Sequence, residues 1–254
     1  SDRFGNEYAP GLPYARGDLI RSTQDDLTKL RAAWTTIKGH VASNGIDSVL
    51  NFSGLERSAH LQPEDLGLLD DELAPALYGD RLNALCLEHL GGDPDQHSVL
   101  ISNRLTAGLL VSILTMVKPG ETVIGVSASY SHPANVRAVK RAQGTLVDTV
   151  GLNGFRQALQ EHPTPSLVIL TRLAVSYEIL PISEIEPIIR LAKKSGARIL
   201  VDDAGGARVG PAVFDQPRTL ELGVDVAATG LDKYGTIGPR LGVLAGNQPL
   251  IERI

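Results

Sequence analysis

From residue 98 onward, short apolar, β-branched segments alternate with helical patterns, and this alternation constrains the fold more than any other feature of the chain. The predicted strands are 98–102, 122–126, 145–150, 166–171, 198–202, 224–229 and 241–245. The helical patterns between them are 106–117, 133–143, 154–161 and 183–194. Continuous apolar strands separated by helices are typical of a mainly parallel sheet covered on both faces. The sequence therefore predicts an α/β fold, a three-layer α/β/α domain with a seven-stranded sheet.

The N-terminal part of the chain has a different pattern. Residues 1–16 contain several Gly and Pro and little periodicity, which predicts an extended arm. Apolar residues then recur at helical spacing from Asp18 to about Val41, and Asn44-Gly45 is a stop signal for that helix. We therefore predict an arm and helix over 1–45 and a large domain over 46–254, with a loop-rich stretch between 51 and 75.

Composition excludes several classes of protein. The net charge of −5 gives no global basic field that would favour nucleic acid or an anionic membrane. The single cysteine, Cys86, excludes an intrachain disulfide, disfavours a cysteine-based metal cluster and suits a reducing compartment. No apolar run is long enough to span a bilayer, and the N-terminus lacks the pattern of a signal peptide. The sequence predicts a cytoplasmic protein.

In open α/β sheets ligands bind beyond the carboxyl ends of the strands, so the residues that follow each strand are the candidates for function. After the first strand, Thr106, Ala107 and Gly108 open a helix. Free backbone N–H groups, a hydroxyl and a glycine that permits close approach suit a phosphate. A simple threonine cap fits the same residues. After the second strand, His132 is placed either to lie against a flat cofactor ring or to cap a helix at the surface.

Two carboxylates, Asp202 and Asp203, directly follow the buried fifth strand. Burying them costs free energy unless each meets a cation or a hydrogen-bond donor. Asp202 is placed to pair with a protonated ring nitrogen, which would keep such a ring electron-poor. A helix cap or a metal ligand is the alternative. Mg²⁺ would need further carboxylates, and the sequence offers no obvious set, so we expect no metal.

Lys233 stands between the apolar sixth strand and a glycine-rich turn. A lysine that is poorly solvated there would present a free amine, able to act as a nucleophile and as a base. A lone lysine in a loop is more often simply solvated, and a plain contact to a phosphorylated ligand is a further alternative. The functional interpretation depends on its position downstream of Asp202.

Together these motifs resemble the fold-type I pyridoxal phosphate (PLP) enzymes, the aspartate aminotransferase superfamily, over about residues 45–254. The most specific parts are Val201-Asp202-x-Ala204 and the Asp232-Lys233 segment with the glycines and Pro239 that follow it. The resemblance implies a Schiff base between PLP and Lys233, with Asp202 at the pyridine nitrogen. It places Ala204 and His132 on the two ring faces. The cofactor phosphate would be contacted by Thr106, Ala107, Gly108 and Thr229. Ser176 and Tyr177, after the fourth strand, are placed to contact the ring oxygen or the substrate.

Within the superfamily the likeness points to the selenocysteine-synthase-like group, which includes the O-phosphoseryl-tRNA selenium transferases. The run from Gly230 to Gly246 is similar to theirs. The segment 54–63 is similar to the loop that holds an anionic substrate, which implies substrate binding by Arg57 and Ser58. A surface loop with a capping serine is the alternative. The acidic charge argues against a tRNA substrate.

The resemblance implies a PLP-dependent lyase or transferase that removes a proton from Cα of a small amino acid, followed by elimination or replacement. Aminotransfer, or a non-catalytic PLP-binding scaffold, are the alternatives. Relatives are usually homodimers with shared active sites, so we expect the arm 1–16 and Arg57 to act across a subunit interface. Relatives also continue into a small C-terminal domain, which is absent from this sequence, so we expect either that the sequence is a fragment or that the protein works without that domain.

Overall fold

The computed structural model describes residues 22–51, 54–55, 61–234, 236 and 239–254. The chain divides into two compact units, Ser1–Ser53 and Gly54–Ile254. In the first unit, helix α1 spans Thr23–Asn44 and is capped by Ser22, whose hydroxyl accepts a hydrogen bond from the Asp25 N–H at 3.1 Å. The helix ends at Gly45, as its sequence predicts, because Gly45 adopts a positive φ of 81°. The predicted arm 1–16 and the predicted start at Asp18 lie outside the described residues.

The second unit is built on a seven-stranded sheet. Its strands are β1 His97–Ser102, β2 Thr122–Ser127, β3 Thr145–Val150, β4 Leu167–Thr171, β5 Arg198–Asp202, β6 Val226–Gly230 and β7 Gly242–Asn247. Its helices are α2 Leu73–Leu90, α3 Leu105–Met116, α4 Pro133–Arg141, α5 Gly151–Glu161, α6 Ile182–Lys194, α7 Gly206–Phe214 and α8 Gln248–Ile251. All seven predicted strands are present within two residues of their predicted bounds.

The strands lie in the order β1-β7-β6-β5-β4-β2-β3. Strand β7 is antiparallel to both of its neighbours, and the other pairs are parallel. The predicted mainly parallel sheet is therefore confirmed. The register places Thr171 of β4 beside Asp202 of β5, and Asp202 beside Ala228 of β6, so the carboxyl ends of these strands meet at one edge.

Side chains of the strands alternate between two apolar cores, one on each face of the sheet. In β4, Val168 and Leu170 face a core that α2, α5 and α6 cover, whereas Leu167 and Ile169 face a core that α3, α4 and α8 cover. This arrangement is the predicted three-layer architecture. Cys86 of α2 lies in the first core, and burial raises the pKa of its thiol to about 11, which makes it an inert core residue.

Helices α2 and α7 lie where the sequence did not indicate helix. Both helices contain residues that usually interrupt a helix: Pro75 and Gly79 in α2, and Gly210 and Pro211 in α7. Pro75 is in the first turn of α2, where its missing N–H is not needed. Burial of Leu87 and Leu90 against the sheet stabilises α2 in spite of these residues. Across the described part of the chain, no helix is both long and apolar enough to cross a membrane.

Candidate active site

Two cavities open side by side at the carboxyl edge of the sheet and share four wall residues: His132, Asp202, Ala204 and Lys233. The first, of about 200 Å³, is called here the arginine cavity and is also lined by Arg104, Leu105, Thr106, Leu109, Ala134, Asp232 and Arg240. The second, of about 220 Å³, is called the tyrosine cavity and is also lined by Thr171, Leu173, Ala174, Val175, Tyr177, Gly205 and Tyr234. The structure thus brings Lys233, Asp202, His132 and Ala204 together, at the place where the sequence predicts a site.

Lys233 follows β6 in a loop that is held from two sides. Its Nζ lies 3.2 Å from Oδ1 of Asp232, whose side chain is almost fully buried. On one side, the main chain of Lys233 forms an antiparallel bridge with Leu55. On the other, the Thr236 hydroxyl donates to the Lys233 carbonyl at 2.8 Å. A methyl group at Gly230 would stand 3.0 Å from Nζ, so a glycine there leaves room for the amine. The amine is therefore fixed at the edge where the two cavities meet.

Asp202 is 3% exposed, and its Oδ2 accepts a hydrogen bond of 2.7 Å from Nδ2 of Asn135. Its other oxygen, Oδ1, has no hydrogen-bond partner among the described residues. Burial raises the pKa of Asp202, and the nearby His132, the Asn135 amide and Lys233 oppose that rise. A buried carboxyl that lacks one donor would gain from a ligand that brings a positively charged N–H.

Asp203 has a different environment from its neighbour. Its Oδ2 lies 3.0 Å from Nη2 of Arg172 and accepts a hydrogen bond of 2.6 Å from the Thr219 hydroxyl. All three residues are completely buried. Asp203 thus ties the ends of β4 and β5 to the segment before β6, and it does not line either cavity. Among the described residues there is no cluster of three His, Cys, Asp or Glu side chains that could hold a metal ion.

His132 is both the cap of α4 and a wall of the two cavities. Its Nδ1 accepts a hydrogen bond of 3.1 Å from the Ala134 N–H, so a neutral ring carries its proton on Nε2. Although the ring is open to the cavities, desolvation lowers its pKa, as do Arg137 and Lys233, against the effect of Asp202. The preceding residue, Ser131, is clamped by the Asp148 carboxylate, to which its hydroxyl donates at 2.7 Å. The imidazole is therefore a fixed, uncharged, flat surface at neutral pH.

The start of α3 forms one end of the arginine cavity. Arg104 is the cap residue but makes no side-chain capping bond, and the N–H groups of Ala107 and Gly108 donate to its carbonyl at 3.0 and 3.2 Å. Thr106 lines the cavity, whereas Ala107 and Gly108 are not among its described lining residues. Gly108 packs against Leu244 of β7, where a methyl group would stand only 3.2 Å from the leucine side chain.

The remaining predicted site residues lie farther from the cavities. Thr229 is buried within β6 and is absent from the described lining of both. Ser176 also does not line them, and its hydroxyl bonds Ser129 at 3.0 Å and Glu178 at 2.6 Å. The predicted substrate residues, Arg57 and Ser58, lie outside the described residues.

Sequence reasoning missed Asn135, Thr171 and Tyr234, as well as the two arginines of the arginine cavity. The strand-end rule, applied to β4, was sufficient to find Thr171, because the parallel register sets it beside Asp202. Nothing in the sequence singles out Asn135, which reaches Asp202 only because α4 packs over the sheet edge. The Thr171 hydroxyl is buried and has no hydrogen-bond partner among the described residues.

We expect the Thr171→Val variant to stabilise the ligand-free protein by about 1 kcal/mol, because a buried hydroxyl without a partner costs free energy that valine avoids. Chemical denaturation measures the free energy of unfolding. Thr149→Val is the matched control, since the Thr149 hydroxyl donates to the Gly125 carbonyl at 2.7 Å and its loss should destabilise by about 1 kcal/mol. Equal destabilisation by the two changes would contradict this account of Thr171.

Comparison with known proteins gives relatives in sequence and in structure, although no protein-family model matches the chain. The chain is 31% identical over 233 residues to the "UPF0425 pyridoxal phosphate-dependent protein" of Methanosphaera stadtmanae, covering 91% of this chain and 58% of that protein. It is 28% identical over 239 residues to the protein of the same name from Methanothermobacter thermautotrophicus, covering 93% and 60%. The chain therefore spans about three fifths of the length of these curated relatives.

Solved structures share the fold at low sequence identity. An alanine–glyoxylate aminotransferase from a Nostoc species matches 84% of this chain and 59% of its own, with a TM-score of 0.56 and 20% identity. A cysteine desulfurase from Thermococcus onnurineus matches 73% and 46%, with a TM-score of 0.56 and 16% identity. These similarities confirm the predicted fold, an α/β domain with a mainly parallel seven-stranded sheet.

Proposed function

We propose that this chain binds pyridoxal 5'-phosphate where the two cavities meet and that it is part of an enzyme acting on a small amino acid. One observation carries the proposal: the Lys233 amine and the Oδ1 of the buried Asp202, which has no hydrogen-bond partner in the described part of the chain, belong to the same cavity walls. PLP presents an aldehyde that an amine can bond and a pyridine nitrogen that an acid can hold. The names of the sequence relatives support the same cofactor.

The donors around the arginine cavity fit this cofactor. Lys233 would hold the aldehyde and Asp202 the pyridine nitrogen, with Ala204 and the neutral His132 ring against the two faces of the pyridine. The start of α3 would bind the phosphate through Thr106, since helix N-termini attract anions. Arg104 and Arg240 add positive charge to the same cavity. Ala107, Gly108, Thr229 and Ser176 stay predicted contacts, which a liganded structure would test.

Bound PLP supplies an electron-poor ring that stabilises negative charge at Cα of an attached amino acid. The chain's own residues would then do three things. The Lys233 amine accepts the Cα proton, which requires it to lie within hydrogen-bond reach of that carbon. Asp232, 3.2 Å from Nζ, stabilises the resulting ammonium. Asp202 keeps the ring nitrogen protonated, and the neutral His132 ring adds no positive charge beside it.

For the reaction that follows proton removal, we propose elimination or replacement at the substrate side chain, so that the protein is a lyase or a transferase. The proposal follows the similarity of the Gly230–Lys233 segment to the selenocysteine-synthase-like group. Arg57 and Ser58 would bind an anionic group of the substrate such as its α-carboxylate, and a homodimer would share its sites across the interface. An aminotransferase would instead convert the substrate to a keto acid and leave the cofactor aminated.

Reductive labelling tests the proposal directly. The protein is incubated with PLP, reduced with borohydride and digested, and the peptides are analysed by mass spectrometry. We expect the label on Lys233 in preference to exposed lysines such as Lys140 and Lys194. Serine, O-phosphoserine and O-acetylserine are then added to the unreduced protein, and released pyruvate, displaced products and keto acids are quantified. Labelling spread evenly over surface lysines would overturn the proposal.

A further inference from the structure

The tyrosine cavity has a wall that the cofactor chemistry does not use. Among its described lining residues, charge is confined to Asp202 and Lys233, and both are assigned to the cofactor in the proposed function. Apart from His132, Ala204 and Thr171, the rest of the wall is apolar or aromatic: Leu173, Ala174, Val175, Gly205, Tyr177 and Tyr234. A charged group buried there would lose its hydration without a charged partner. The arginine cavity differs, because Arg104 and Arg240 give its wall two further positive charges.

The ring of Tyr234 is fixed by two glycines. Its main-chain N–H donates to the Gly54 carbonyl at 2.9 Å, and its ring edge packs on Gly54, where a methyl group would stand 2.5 Å from Cε1. The other edge packs on Gly205, where a methyl group would overlap Cε2. Tyr234 also has a backbone φ of 48°, in a region that residues other than glycine seldom adopt. This ring is therefore an immobile wall next to Lys233.

Tyr177 forms the other aromatic wall, at the tip of a tight hairpin. The Tyr177 N–H donates to the Ala174 carbonyl at 2.9 Å, the Ala174 N–H donates to the Glu178 carbonyl at 2.9 Å, and Leu173 pairs with Ile179. Its φ of 65° is again in the left-handed region. The side chain is 70% exposed although it lines a cavity, so much of its surface is available to a ligand. Burial raises the pKa of Tyr234, and the proximity of Tyr177 adds to that effect.

Two non-glycine residues held in the left-handed region beside one cavity indicate a function for that backbone strain. The cavity, at about 220 Å³, is smaller than the roughly 300–1,000 Å³ of sites for drug-sized ligands and fits a single side chain. The position of the tyrosine cavity also suits a substrate side chain, because the cavity shares Lys233 with the arginine cavity, where the cofactor phosphate would lie. An amino acid bonded at the position of Lys233 would therefore lie beside the tyrosine cavity.

We propose that the tyrosine cavity receives the side chain of the amino-acid substrate and that Tyr177 and Tyr234 select an uncharged aromatic side chain over a charged one. This inference rests on the proposed function, since it requires the cofactor at Lys233. Aromatic rings gain from edge or stacked contacts with each other beyond simple burial. A carboxylate or ammonium in the same cavity finds no such compensation.

Stable conjugates of the cofactor with amino acids test the inference without turnover. N-(5'-phosphopyridoxyl)-L-phenylalanine, -L-aspartate, -L-lysine and -L-alanine are titrated into the cofactor-free protein, and pyridoxyl fluorescence gives each dissociation constant. We expect the phenylalanine conjugate to bind at least about 10-fold more tightly than the aspartate and lysine conjugates, within the range that side-chain pockets achieve. Tyr177→Ala should weaken the phenylalanine conjugate about 10-fold and change the alanine conjugate little.

Two further variants complete the test. Tyr78→Ala removes a tyrosine of α2 that is 46% exposed and should leave all four dissociation constants unchanged. Tyr177→Arg should make the aspartate conjugate bind more tightly than it does to the parent protein. Equal affinity for the phenylalanine and aspartate conjugates, or equal loss for the phenylalanine and alanine conjugates in Tyr177→Ala, overturns the inference alone. Failure of every conjugate to bind overturns the proposed function and the inference with it.

Discussion

The Lys233→Ala variant is expected to lose turnover by at least about 10⁴-fold, because in the proposed function Lys233 is both the covalent anchor of the cofactor and the base that takes the Cα proton. The visible absorption band of lysine-bound PLP should disappear with it. The loss of the 3.2 Å ion pair with Asp232 is a secondary effect on the loop. Steady-state kinetics with the best substrate of the panel and an absorption spectrum measure the two effects separately.

Lys194→Ala is the matched control, because Lys194 is an exposed lysine in the last turn of α6. It should retain the parent's spectrum and rate. Far-ultraviolet circular dichroism establishes that both variants are folded. Retention of the visible band in Lys233→Ala would assign the covalent bond to another lysine, and the interpretation of the site would then be wrong.

The Asp202→Asn variant is expected to slow turnover by roughly 10²–10⁴-fold, because removing one partner of a buried ion pair costs about 3–5 kcal/mol. The asparagine no longer holds the proton on the ring nitrogen, so the ring withdraws fewer electrons from Cα. Binding of the cofactor should weaken as well. Turnover of the cofactor-saturated variant isolates the first effect, and a titration with PLP measures the second.

In the absence of cofactor, Asp202→Asn should increase the free energy of unfolding. Burial raises the pKa of Asp202 above the ordinary value of 3.8, so the folded protein binds more protons than the unfolded chain. The contribution of Asp202 to stability is therefore complete below about pH 3.8 and is lost as the pH rises through the higher folded-state pKa. Asp202→Asn removes this loss, so the amount by which the variant's free energy of unfolding exceeds that of the parent should grow as the pH rises above about 3.8.

Asp203→Asn provides the contrast between two adjacent carboxylates. Burial raises the pKa of Asp203 too, but here the Arg172 guanidinium opposes the rise. Neutralising Asp203 leaves Arg172 buried without its ionic partner, so we expect destabilisation by about 3–5 kcal/mol. Denaturant unfolding of both variants at each pH gives the comparison. The same sign for Asp202→Asn and Asp203→Asn at pH 8 would contradict the separate roles of these residues.

The sequence was sufficient to predict the sheet because its strands are buried on both faces, which leaves uninterrupted apolar segments such as Val168–Leu170. It was also sufficient to predict that Asp202, His132 and Lys233 lie close together, because the carboxyl ends of parallel strands meet at one edge whatever the order of the strands. Helix α2 was missed because its stability comes from packing against the sheet. Asn135 and the Gly54–Tyr234–Gly205 arrangement could not be predicted, since each joins segments that only the tertiary structure brings into contact.

The placement of β7 sets an order for folding during synthesis. Among the described strands, β1 pairs with β7 alone, and the Ser102 hydroxyl donates a hydrogen bond to the Gly242 carbonyl, 140 residues away in sequence. While the ribosome makes the central strands, β1 and the start of α3 have no strand to join, and an unpaired edge is prone to wrong pairing. The end of the arginine cavity formed by the start of α3 is thus completed after the Lys233 loop has been made, and a nascent chain that stops before β7 would lack it.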